Sequence, residues 1–165
     1  MAIKLTTKVI ATTRDKDGNI TNVQEGKNTI TEGDPNSTNN GLAFMLERMF
    51  AGDIYFASTT DYINKAQLGT GNPTAAGLGA PITATKKAIN TKLFNETGGT
   101  WYDNPTFVAT ITWDASYGAL SNITEVGLMT EDNKYLIAYK TYTPALHKEA
   151  DGDLTIEWEM QLSYT

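Results

Sequence analysis

The chain has 165 residues, no cysteine and a formal net charge of −6, with 40% hydrophobic and 10% aromatic residues. That length suits one domain, residues 1–165, and the missing cysteines exclude a disulfide framework and a thiolate metal site. The acidic balance, with no Lys/Arg-rich run, argues against a nucleic-acid partner. The amino terminus, Met1-Ala2-Ile3-Lys4-Leu5-Thr6, lacks the apolar core of a signal peptide. The longest apolar stretch, residues 42–46, is far too short to span a bilayer, so a soluble protein without a membrane partner is expected.

Residues 2–13 alternate, with Ile3, Leu5, Val9 and Ala11 on one face and Lys4, Thr6, Lys8 and Thr12 on the other. Period two over that length predicts a strand with one buried face. Asp17-Gly18 then signals a hairpin, with residues 20–23 returning. Residues 1–25 therefore read as a hairpin or an arm. Asp15 and Asp17 have the start of a calcium loop but lack its later ligands and closing Glu, so a plain turn is expected.

Polar residues 33–40 lead into Gly41-Leu42-Ala43-Phe44-Met45-Leu46-Glu47-Arg48-Met49-Phe50-Ala51-Gly52. Leu42, Met45, Leu46 and Met49 share a helical face and Gly52 is placed to end it, which predicts one short helix covering the sheet. Residues 54–57 and 62–68 predict strands. The loop Leu68-Gly69-Thr70-Gly71-Asn72-Pro73-Thr74-Ala75-Ala76-Gly77-Leu78-Gly79-Ala80-Pro81 is too rich in glycine and proline for a helix or a central strand. Its small apolar residues and lack of charge predict an ordered crossover packed on a sheet.

Residues 82–94 read as one further strand. Phe107, Ala109, Ile111 and Trp113 point inward from the next, with threonines between them. Residues 123–129 follow, and 135–139 are apolar on both faces, as in a central strand. The pattern is cleanest at the end, where Leu154, Ile156, Trp158, Met160, Leu162 and Tyr164 alternate with Thr155, Glu157, Glu159, Gln161 and Ser163. Many short strands and one helix predict a mainly β fold, an antiparallel β-sandwich of jelly-roll type.

Little of this points to catalysis. His147, the single histidine, lies in Pro144-Ala145-Leu146-His147-Lys148-Glu149, which reads as a solvated hairpin connection, and no serine sits in a Gly-x-Ser-x-Gly turn. Glu157 and Glu159 share a strand face, but glycosidase carboxylates must oppose each other across a cleft. Gly69-Thr70-Gly71 lacks the Lys-Ser/Thr ending and helix of a phosphate-binding loop. Trp101 and Tyr102 are the aromatic candidates for a surface contact, either stacking on a sugar or anchoring a protein partner. No cofactor is expected.

The order of segments carries a resemblance. Asn28-Thr29-Ile30-Thr31 is followed by the helix, by a strand entering Leu68-Gly69-Thr70-Gly71 with Leu78-Gly79, and by Ile123-Thr124-Glu125-Val126-Gly127-Leu128. Leu136-Ile137-Ala138-Tyr139 and Leu154-Thr155-Ile156-Glu157-Trp158 close it. Over residues 28–163 this resembles structural proteins of tailed-bacteriophage virions, found as head decoration or auxiliary capsid proteins and as tail or fibre modules. Residues 82–87 depart from that pattern, with threonines and lysines where an acidic-basic pair is usual.

The resemblance implies a non-enzymatic protein of the virion, assembled in the host cytoplasm, that binds and stabilises neighbouring subunits. Its partners would be the major capsid protein or tail or neck proteins, together with further copies of itself. The expected interaction surface is Gly69, Thr70, Gly71, Asn72 and Pro73, with Trp101 and Tyr102. The alternatives are a tail, neck or fibre component, and a carbohydrate-binding adhesin module that takes a surface glycan.

Overall fold

The computed structural model describes residues 3–30, 63–74, 77–95, 106–130 and 136–164. Its strands in chain order are β1 (Ile3–Arg14), β2 (Ile20–Gly26), β3 (Thr29–Ile30), β4 (Ile63–Gly69) and β5 (Lys87–Ala88). They continue with β6 (Thr91–Asn95), β7 (Thr106–Trp113), β8 (Leu120–Thr130), β9 (Leu136–Lys148) and β10 (Asp153–Tyr164). Among the described residues these strands make two five-stranded sheets, ordered β2-β1-β10-β7-β6 and β3-β9-β8-β4-β5. The chain is mainly β, with two open antiparallel sheets, the class expected of a β-sandwich. Each sheet is the centre of its own compact unit, where the sequence reads as one domain.

In the first unit β1 is an interior strand, paired with β10 from Ile3↔Tyr164 to Arg14↔Asp153 and with β2 on its other side. β1 and β2 thus form a hairpin built into the sheet. Cross-strand rows explain the core. Trp158 lies between Val9 and the small Ala109, Ile156 between Ala11 and Ile111, and Leu154 between Thr13 and Trp113. All are buried, so large and small side chains alternate across the sheet and fill one face. The opposite face carries Thr12, Thr155 and Thr112 in one row, the last two hydroxyls 3.0 Å apart.

In the second unit β8 contributes Ile123, Val126 and Leu128, and β9 contributes Leu136, Ile137 and Ala138, all buried. Runs buried on both faces lie inside the sheet, and β8 and β9 do.

Two expected elements differ. Residues 82–94 form a 3-10 turn (Thr83–Thr85) and then β5 and β6, which belong to different sheets. The buried Thr85 hydroxyl donates to the Ile82 carbonyl at 2.7 Å and accepts from the Leu68 N–H at 3.0 Å, which bends the chain. His147 lies within β9, because the strand continues through Pro144 with Tyr142, Leu146 and Lys148 buried between exposed neighbours. The predicted helix at 41–52 and strand at 54–57 lie outside the described residues.

Candidate functional site

The glycine-rich loop and the Ile123-to-Leu128 strand meet directly. β4 pairs with β8 so that Gly69 lies opposite Glu125 and Leu68 opposite Val126. Opposite residues of an antiparallel pair project on the same side. With no side chain at Gly69, the Glu125 carboxylate lies over that position, where an added Cβ would collide with its Oε1.

From there the carboxylate reaches the loop. Oε1 accepts from the Gly71 N–H at 3.1 Å and the Ala80 N–H at 2.9 Å, and Oε2 accepts from the Gly79 N–H at 3.0 Å. Glu125 is fully buried, and such a charge is tolerated where donors converge on it. The neighbouring Thr124 hydroxyl donates to the Gly71 carbonyl at 2.7 Å.

The loop also closes on itself. Thr70 N–H donates to the Ala80 carbonyl at 2.9 Å and Ile82 N–H to the Leu68 carbonyl at 2.8 Å. Its tip is held by reciprocal bonds between Thr74 and Gly77 of 2.8 and 3.1 Å. The two limbs touch backbone to backbone: a Cβ on Gly71 would come within 2.5 Å of the Ala80 nitrogen. The expected crossover is thus an excursion that leaves β4 and returns beside its end.

Converging backbone N–H groups are what anion-binding loops offer to phosphate. Here the anion is a side chain of the same chain. Of the sequence candidates, Gly69 is buried at the end of β4, Thr70 and Asn72 are exposed, and Gly71 and Pro73 are half-buried. Trp101 and Tyr102 lie outside the described residues. Glu125 is the residue that sequence reasoning missed. The available signal was an acid inside an apolar strand, on the same face as Ile123 and Gly127.

Elsewhere the polar groups hold turns. The Asp15 carboxylate accepts from the backbone N–H groups of Asp17 and Asn19, both at 2.9 Å, and from the Asn19 side-chain amide at 3.0 Å. These bonds, the Asn19 amide foremost, hold its acid below the ordinary aspartate range. Lys148 is fully buried, and its Nζ donates to the carbonyls of Gly118 at 2.8 Å and Glu149 at 3.0 Å. Desolvation pushes its amine below the ordinary lysine range, against the opposing pull of Asp114, Asp153 and Asp151.

Among the described residues no group of three or more His, Asp or Glu side chains is arranged to hold a metal ion. No helix among them is long and apolar enough to cross a membrane. The exposed large hydrophobic residues among them are Ile20 and Val23, both on the edge strand β2. No protein-family model, curated protein or solved structure matches the chain.

Proposed function

We propose that this chain is a non-enzymatic structural protein of a tailed-bacteriophage virion, a head decoration or auxiliary capsid protein that binds and stabilises neighbouring subunits. The reading rests on the resemblance in segment order. The observation that carries it further is the Glu125 clamp. Two of the segments that carry the resemblance, the Leu68–Gly79 loop and the Ile123–Leu128 strand, are one hydrogen-bonded unit. A loop fixed in this way presents Thr70 and Asn72 on a preformed surface, and preorganisation lowers the entropic cost of attachment. Among the described residues β2 and β3 are edge strands, which offer further backbone groups to a neighbour.

Immunogold labelling and cryo-microscopy of phage particles, using antibody raised against the purified chain, test this. Label distributed over the head is the expected result. Label confined to the tail or neck would move the protein to that position, and particles without label would overturn the reading. The glycan alternative depends on Trp101 and Tyr102, and no described residue favours it.

A further inference from the structure

We propose that two copies of this chain join edge to edge through β2, antiparallel about a two-fold axis at Val23, so that two first-unit sheets become one continuous ten-stranded sheet. The pairing deepens the assembly role proposed above and rests on it.

The argument starts from where apolar surface is left exposed. Ile20 and Val23 are 61% and 51% exposed, and among the described residues both lie on the edge strand of their sheet. They also share a face. Val23 lies opposite Thr12, Glu25 opposite Ile10, and Ile20 opposite Arg14 after a register shift between Thr13 and Arg14. Asn22, Gln24 and Gly26 lie on the other face, opposite Thr13, Ala11 and Val9. A solvent-facing edge is normally blunted by charge, proline or an inward-pointing lysine. Residues 20–24, Ile-Thr-Asn-Val-Gln, carry no charge and no proline.

Charge placement favours a second copy as the occupant. Beyond one end of β2 is the turn Asp15-Lys16-Asp17-Gly18-Asn19, and beyond the other end is exposed Lys27. In the turn Lys16 pairs with Asp17 at 2.8 Å, and the second carboxylate, on half-buried Asp15, leaves one net negative charge. Antiparallel self-pairing about Val23 puts Lys27 of each copy beside the acidic turn of its mate, twice by symmetry. Within the strand, Asn22 meets Gln24 of the second copy, and Val23 meets its own counterpart. Glu25 is already paired with Lys8 at 3.2 Å, so it adds no unmatched charge to the seam. A two-fold contact of this kind closes on itself and yields a dimer, not a fibre.

Absence of cysteine makes the test direct. Opposed residues of an antiparallel pair have Cα atoms about 4.5–5.5 Å apart, within disulfide reach. Val23→Cys should therefore cross-link to a covalent dimer under mild oxidation. Glu157→Cys, exposed on β10 two strands from that edge, should cross-link at least about tenfold more slowly. Sedimentation velocity should show a dimer for the natural chain and a monomer for Val23→Lys. Lys27→Glu should weaken association, and adding Asp17→Lys to it should restore the dimer.

A natural chain that stays monomeric, or an oligomer indifferent to Val23→Lys with no preferential Val23→Cys cross-link, would overturn the pairing. The charge-swap pair keeps the test decisive if Val23→Lys does not fold. A monomer that still labels phage heads would overturn the pairing alone. A β2 dimer that labels no particle would support the pairing and overturn the assembly role.

Discussion

The carboxylate of Glu125 occupies the volume in which a Gly69 side chain would begin. The strand pairing that sets the two residues opposite each other therefore requires glycine at position 69 and lets the acid reach Gly71, Gly79 and Ala80. Gly69→Ala must displace the carboxylate or open the β4–β8 ladder. A loss of about 1–3 kcal/mol is expected, the range for overpacking a filled interior, measured by urea unfolding.

Glu125→Gln tests the clamp without changing its shape. An amide oxygen can still accept two of the three N–H groups, but its NH2 must confront the third. The expected cost is about 1–3 kcal/mol, the penalty of a buried donor left without an acceptor. Hydrogen exchange locates it: the Gly71, Gly79 and Ala80 amides should lose protection, while those of β10 keep theirs. Equal loss in β10 would mean that the clamp does more than hold the loop.

Lys148 should make stability depend on alkaline pH. Its amine loses its proton at a lower pH in the folded chain than in the unfolded chain, where lysine titrates near about 10.4. Between those values the unfolded chain binds more protons, so stability rises with pH through that window and is level below it. Lys148→Met should flatten the rise. Urea unfolding from neutral pH up to about 10 reads the slope, and an unchanged slope in the variant would refute the assignment.

Tyr142 has the opposite sign. Burial raises its phenol above the ordinary tyrosine value, so its contribution is intact below about pH 10 and falls away above it. The hydroxyl is also buried without a hydrogen-bond partner. Tyr142→Phe removes that group and should raise the neutral-pH stability by about 1–3 kcal/mol, the penalty of a buried polar group left unsatisfied, while abolishing the alkaline loss. Thermal melting at neutral and high pH checks both halves.

The legible parts of the fold were those whose cause is local. In β1, β7 and β10 a half-buried strand writes its two faces directly into alternate residues, and Leu154, Ile156 and Trp158 are buried as that pattern requires. The turn at Asp15 was legible because its carboxylate bonds within its own few residues. The clamp was not. It depends on the register of two strands with β5, β6 and β7 between them in the chain, and nothing near Gly69 names its partner. Residues 82–94 misled because Thr85 turns the chain by bonding back to Leu68, which no periodicity records. At Pro144 and His147, residue types that suggest a loop concealed a continuing strand.

The pairing of Ile3 with Tyr164 has a consequence for synthesis. The first sheet has β10 between β1 and β7, so it stays incomplete until residues 153–164 have left the ribosome. Every strand of the second sheet precedes them in the chain. During translation the second sheet has all its described strands while the β1–β2 hairpin still lacks its β10 partner. The apolar side of that hairpin therefore stays without its β10 neighbour until residues 153–164 emerge.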